Sequence, residues 1–205
     1  QYYSIAVSEG KIFASFLNEN KIKVYPFWSS DSVYEDNNMI IEFGELGLKD
    51  GKFVHPMGID VSDGKIFVTD SGNNRIQVFD LDGNFVSTFG SRDQFDSQPY
   101  KLDVFNDRIY VVEVGKNRIQ VFDLSGDFLF KFGKKGEDVG ELRSPGDIAV
   151  SGEKIFVADR KNSRVQVFDI SGNFLIAIGP DEAYEGFDRP HSLAILDDKI
   201  FVGDR

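Results

Sequence analysis

The apolar positions of the chain fall in short runs, such as Lys65-Ile66-Phe67-Val68 and Arg75-Ile76-Gln77-Val78-Phe79, cut by clusters of Gly, Asn, Asp and Ser. No stretch sustains a helical period. The runs are rich in β-branched and aromatic residues, which fit a pleated surface. The turns between them, Asp63-Gly64, Asp82-Gly83 and Ser125-Gly126, supply the positive φ that tight hairpins demand. The pattern predicts short antiparallel strands joined by hairpins.

The runs repeat. Residues 65–79 read KIFVTDSGNNRIQVF, 108–122 RIYVVEVGKNRIQVF and 154–168 KIFVADRKNSRVQVF. A weaker copy, KIFASFLNENKIKVY, occupies 11–25, and KIFVGDR closes the chain at 199–205. The copies begin at 11, 65, 108, 154 and 199, spaced by 54, 43, 46 and 45 residues. The long first interval holds an insertion around Trp28–Asn38. Each copy after the first follows a proline (Pro56, Pro99, Pro145, Pro190) and an apolar run, and each complete one ends in a Phe-Gly or Ile-Gly pair, as at Gly44, Gly90, Gly133 and Gly179. A four-stranded antiparallel unit of about 45 residues is a propeller blade. The expected fold is therefore all-β, with about four and a half blades. Their expected bounds are 4–44, 56–90, 99–133, 145–179 and a half blade 190–205, in one domain over 1–205.

In the KIFV run, Ile and Val are expected on one face and Phe on the other. In RIQVF, Ile and Val are expected to share a face only through a bulge. Both runs read as strands buried on two faces, with adjacent blades covering each side. The 20 phenylalanines then fill the wedges between blades, each burial contributing about 2–3 kcal/mol.

The recurrent Pro-x-x-Ile-x-Val, Ile-Phe-Val-x-Asp, Asn-x-Arg-Ile-Gln-Val-Phe-Asp, Ser-Gly-Asn-Phe and Phe-Gly elements resemble the NHL repeat. The resemblance covers nearly the whole chain. It implies a propeller, most often of six blades, whose usual role is binding. The first copy departs from it, with Phe16 at the aspartate position and Lys21 at the arginine position, and the third has Glu113 for aspartate. With two strands in the last copy, the sequence reads as a piece of a closed six-bladed propeller.

Function on such a scaffold is expected on loops, at the end of the blades where the prolines sit. The residues after the prolines, Met57, Tyr100, Gly146 and His191, vary from copy to copy. So do Asp70, Glu113, Asp159, Arg160 and Lys161 in the loops of the same end, and Arg205 follows the last aspartate. The recurrent Asp70, Asp159 and Asp204 with Arg75, Arg118 and Arg164 read first as structural ties, since a site seldom needs the same pair in every blade. Trp28 and Tyr34 in the insertion are candidate anchors for a partner.

The segment Pro190-His191-Ser192-Leu193-Ala194 with Asp204-Arg205 is similar to one blade of the peptidyl amidating lyases. That similarity implies His191 as a zinc ligand and Arg205 as a substrate residue. Elsewhere the pattern departs: Tyr100 stands where another histidine belongs, and Arg160 and Lys161 occupy the loop of the family's catalytic tyrosine. Zinc catalysis uses about three protein ligands, and the chain has 2 histidines.

Charge and composition narrow the classes. The chain has no cysteine, which excludes disulfides and thiol chemistry and leaves the compartment open. No apolar run is long enough to span a membrane as a helix, and no targeting segment is legible. The net charge of −11 weighs against nucleic acid. The sequence therefore points to a non-catalytic module, without cofactor, that binds a protein, peptide or glycan. A metal-dependent lyase or hydrolase, with zinc or calcium at His191, is the alternative, and RNA binding is a second.

Overall fold

A computed structural model describes residues 3–27, 39–91, 93–180, 186–197 and 199–205. Trp28 and Tyr34 lie outside them. The strands are β1 (Ser4–Ser8), β2 (Lys11–Phe16), β3 (Lys21–Pro26), β4 (Ile41–Phe43), β5 (Pro56–Ser62), β6 (Lys65–Asp70), β7 (Arg75–Asp80), β8 (Phe85–Phe89), β9 (Pro99–Phe105), β10 (Arg108–Glu113), β11 (Arg118–Asp123), β12 (Phe128–Phe132), β13 (Asp147–Ser151), β14 (Lys154–Asp159), β15 (Arg164–Asp169), β16 (Phe174–Ile178), β17 (Ser192–Leu196) and β18 (Lys199–Gly203). They form four antiparallel four-stranded meanders in sequence order, and β17 pairs with β18. These are propeller blades, as the repeat implied. The chain divides into two compact units, Gln1–Tyr100 and Lys101–Arg205, with the dividing line inside β9.

Within the first unit, Phe13, Ile22 and Val24 of the first blade pack against Ile59, Ile66, Val68 and Phe79 of the second. Phe13 points forward to the next blade, whereas Ile66 and Val68 point back. The second unit repeats this arrangement: Phe156, Val165 and Val167 meet Leu193, Ile195, Ile200 and Val202. Strands β6 and β10 are buried at every position but the first. That is what strands covered on both faces require.

The expectation for RIQVF needs correcting. Ile76 and Val78 are two residues apart, so they share a face with no bulge; they face Thr69 and Phe67 of β6. The bulge lies instead in the outermost strand. Val78 faces Ser87 and Phe79 faces Phe85, leaving Val86 as the extra residue. Leu129 and Leu175 hold the same place in β12 and β16. All three are exposed. A bulge in the outer strand of a blade twists its free edge and makes it a poorer template for pairing.

The outer hairpins owe their shape to one aspartate each. Asp80 Oδ1 accepts the N–H groups of Asp82 and Asn84, and Asp169 Oδ1 those of Ser171 and Asn173. Gly83 sits at φ +83°, and a Cβ there would lie 2.6 Å from the Phe43 ring of the preceding blade. Both the turn and the blade packing therefore demand glycine.

Candidate functional site

Each meander brings three segments to the end where its proline sits. In the second blade, Pro56 lies opposite Asp70, and Asp70 opposite Arg75. The loop after Asp70 is a single 3-10 turn, Ser71–Asn73, closed by Asn74 in the left-handed conformation. The connector arriving from the previous blade lies against it, because Val54 N–H donates to Asp70 Oδ1 at 2.7 Å.

Asp70 is the hub of that arrangement. Its Oδ2 accepts from Asn73, Arg75 Nε and Gln77, at 2.8, 2.8 and 3.0 Å. Arg75 continues to the carbonyls of Lys49 and Lys52 and to Asp50, and Gln77 clamps Gly51 N–H and the Lys52 carbonyl. In the second unit Asp159 repeats every kind of contact. It takes Arg143 N–H on Oδ1 and Asn162, Arg164 Nε and Gln166 on Oδ2. Arg164 holds the Asp138 and Glu141 carbonyls, and Gln166 holds Gly140 N–H and the Glu141 carbonyl. Glu113 accepts from Arg118 Nε at 2.5 Å. Asp70, Glu113 and Asp159 are fully buried. Their placement among surface binding residues is therefore corrected: carboxylates committed to buried donors cannot reach a partner. Asp70 and Asp159 tie connectors to strands, and Glu113 holds Arg118 of the neighbouring strand.

Of the remaining candidates in the first unit, Met57 and Tyr100 are half-buried. The Met57 carbonyl accepts from Ser15 Oγ at 2.7 Å, and the Tyr100 carbonyl from Thr69 Oγ1 at 3.0 Å. These hydroxyls reach from the second strand of one blade to the first strand of the next. The Tyr100 hydroxyl accepts from the Tyr3 hydroxyl, and the two rings meet edge to face, with centroids 5.8 Å apart. Tyr3, Met57 and Tyr100 thus gather at one end of the first unit.

In the second unit, His191 and Arg205 are exposed, as is Lys161, and Arg160 is half-buried. Gly146 lies against His191: a Cβ on the glycine would be 3.2 Å from His191 Cα. His191 N–H donates to the Gly203 carbonyl. Asp204 accepts the N–H groups of Asp188 and Arg189, so it fixes its connector much as Asp159 does. Among the described residues, no three His, Cys, Asp or Glu side chains come together in a way that could hold a metal.

Three features went unread in the sequence. Tyr3 pairs with Tyr100, a contact between segments 97 residues apart that no local pattern announces. Asp147 and Lys101 lie on neighbouring first strands. Burial pushes the Asp147 carboxyl above the usual carboxylate range and the Lys101 amine below its usual value, and each charge partly offsets the shift of the other. Asp147 also accepts the N–H of Ile148 and, across the blade boundary, that of Leu193. The third feature is the connector itself. Phe53, Phe95 and Leu142, each a few residues before its proline, are buried plugs, and the recurrence of one large apolar residue there was the available signal.

Comparison with known proteins agrees with this geometry. Residues 53–79 match the family model of the NHL repeat, and residues 91–182 match a family described as a 6-bladed beta-propeller. Protein lin-41 of Caenorhabditis elegans is 49% identical over 49 residues, 23% of this chain and 4% of that protein. Protein brain tumor of Drosophila melanogaster is 43% identical over 58 residues, 28% of this chain and 6% of that protein. Among solved structures, a streptogramin B lyase aligns with TM-score 0.74 and 18% identity over 99% of this chain and 62% of its own. The chain thus matches only a small part of the curated relatives and spans less than two thirds of the lyase. At that identity the likeness is one of fold alone. No helix among the described residues is long and apolar enough to cross a membrane.

Proposed function

Since the chain is an NHL-repeat β-propeller chain, we propose that it is a non-catalytic binding module, presenting the proline end of its blades to a protein, peptide or glycan partner. The observation that carries this reading is the contrast between hub and rim. Asp70 and Asp159 accept the same four kinds of donor, yet Ser71-Gly72 after one, with Ser71 buried and donating to the Pro99 carbonyl, is replaced after the other by Arg160-Lys161, with Lys161 exposed. A buried scaffold held constant beneath loop residues that change is how a rigid fold tunes a binding surface. The residues proposed for contact are Met57 and Tyr100 with Tyr3 in the first unit and, taken separately, Arg160, Lys161, His191 and Arg205 in the second. The aromatic pair offers broad contact area with few rotors to immobilise.

The lyase alternative draws no support from His191. It has no converging ligand set among the described residues, and Asp204 beside it is engaged by backbone N–H groups. RNA binding needs a basic face, and −11 is the wrong balance for it.

The test is to probe the labelled full chain against a printed glycan array and a displayed library of random peptides, with elemental analysis of the same preparation. Saturable binding to a glycan or peptide, weakened about tenfold by Tyr100→Ala or His191→Ala, is the expected result, equivalent to about 1.4 kcal/mol. Stoichiometric zinc that disappears in His191→Ala would overturn the reading, as would a salt-dependent shift of single-stranded RNA in preference to either library.

A further inference from the structure

The connectors at 44–56 and 133–145 have equal length and the same frame, and they differ in what they display. Each holds one parallel bridge, Leu46 with Phe53 and Lys135 with Leu142. In each, the plug N–H donates back at 2.8 Å, Phe53 to the Glu45 carbonyl and Leu142 to the Lys134 carbonyl. Each is clamped by its hub: Asn73 donates to the Gly47 carbonyl and Asn162 to the Gly136 carbonyl, and Gln77 and Gln166 take the N–H groups of Gly51 and Gly140. On this shared frame the connector of the second unit carries Lys135 and Glu137, the latter paired with Arg143. The connector of the first unit carries Leu46 and Leu48 at those positions, 67% and 77% exposed.

The frame does not need the leucines, since its counterpart folds the same way with charges in their places. Two exposed leucines on a backbone fixed by side-chain clamps form a surface already ordered before binding, which removes part of the entropic cost of association. Beside them, Lys52 pairs with Glu45 and Asp50 with Arg75. Lys49 makes no ion pair among the described residues and is exposed.

We infer that Leu46, Leu48 and Lys49 form a docking site for a short segment of a protein partner that brings apolar side chains and one carboxylate. This rests on the binding-module reading and names the chemistry of the partner. The leucines pack against the apolar side chains, and the Lys49 ammonium donates to the carboxylate. The size of the site favours a short segment over a second copy of the chain: two leucines are a small part of the roughly 800 Å² per partner that a standard interface buries. A second copy would also bring its own −11, and an anionic bilayer would repel the same charge. A segment with one carboxylate meets far less of that repulsion, because at physiological salt charges beyond about 8 Å are largely screened.

The experiment pans a displayed library of random short peptides on the full chain. It then compares binding of the enriched peptides to the wild type, to Leu46→Lys/Leu48→Glu and to Lys49→Glu. The double variant installs the residues of the sister connector, so its melting temperature should stay at the wild-type value. Expected are peptides that combine apolar residues with Asp or Glu, bind the double variant at least about tenfold more weakly, and bind Lys49→Glu more weakly with a smaller change. Peptides that bind the double variant as tightly as the wild type would overturn this site and leave the binding-module reading intact. Absence of any enriched peptide would overturn the site. So would leucine-dependent dimerisation in sedimentation, or leucine-dependent adsorption to phosphatidylcholine–phosphatidylserine vesicles, without peptide binding.

Discussion

The hubs at Asp70 and Asp159 and the first strands they support divide the molecule into two kinds of region. At the hubs, two blades from different units share one carboxylate, one asparagine, one guanidinium and one glutamine, holding corresponding backbone atoms at closely matching distances. At the blade boundaries no such uniformity holds. In the first unit Ser15 and Thr69 donate hydroxyls to the first strand of the next blade. The corresponding position in the second unit holds Ala158, whose carbonyl takes the Gly146 N–H, and there Asp147 reaches to Leu193. A device that must close every blade the same way is repeated; a boundary needs only some tie, and different side chains supply it.

If the hubs are equivalent, removing either carboxylate should cost the same. Asp159→Ala leaves Arg164, Asn162, Gln166 and the Arg143 N–H without their common acceptor in a fully buried place. Stranding a guanidinium and several donors this way costs about 3–5 kcal/mol. Asp70→Ala should match it to within about 1 kcal/mol. Urea unfolding followed by circular dichroism measures both, fitted with a transition for each unit should they unfold apart. A cost near zero for either variant would break the equivalence and mark that hub as dispensable.

The boundary side of the comparison is sharpened by Thr69→Ala, which installs the residue that Ala158 already provides in the other unit. Gly58 N–H donates to Thr69 Oγ1 at 2.6 Å, and both residues are buried. The variant leaves that N–H and the Tyr100 carbonyl to find other partners, at about 1–3 kcal/mol. A neutral result would mean that the first unit can adopt the alanine solution unaided.

This division also explains how much the sequence disclosed. Blades, strand positions and the structural role of the Asp and Arg pairs were legible because a repeat displays the same requirement several times. The hubs extend this reading: Asn73 and Gln77 recur as Asn162 and Gln166, and they recur because they bind the same carboxylate. What varies was harder to read. Tyr3 with Tyr100 is a contact, and Lys101 with Asp147 an electrostatic interaction, across blade boundaries between residues that occur once each, so no periodicity points to them. The burial of Asp70, Glu113 and Asp159 was half legible. Their recurrence argued for a tie, but loop position alone also made them look like surface candidates. The exposed leucines of the first connector became informative only beside the charges of its counterpart.

The smallest effect expected is one of sign, and it sets an aspartate at a blade boundary against one in a hairpin. The Asn173 side chain and the N–H groups of its turn hold the Asp169 carboxyl below the usual carboxylate range. Its contribution is therefore present at neutral pH and lost as the pH falls through its folded value. Burial holds the Asp147 carboxyl above that range, with Lys101, two backbone N–H groups and His191 drawing it partly back. Its contribution is fully present in acid and lost as the pH rises through its raised value. Replacement by asparagine removes the titration in each case. The cost of Asp169→Asn should therefore shrink as the pH is lowered from about 7 towards about 3, while the cost of Asp147→Asn should grow. Melting temperatures of both variants against the wild type across that range measure the two slopes. Slopes of the same sign would mean that the Lys101 and His191 charges outweigh the burial of Asp147, and that the boundary carboxylate is held much as the hairpin one is.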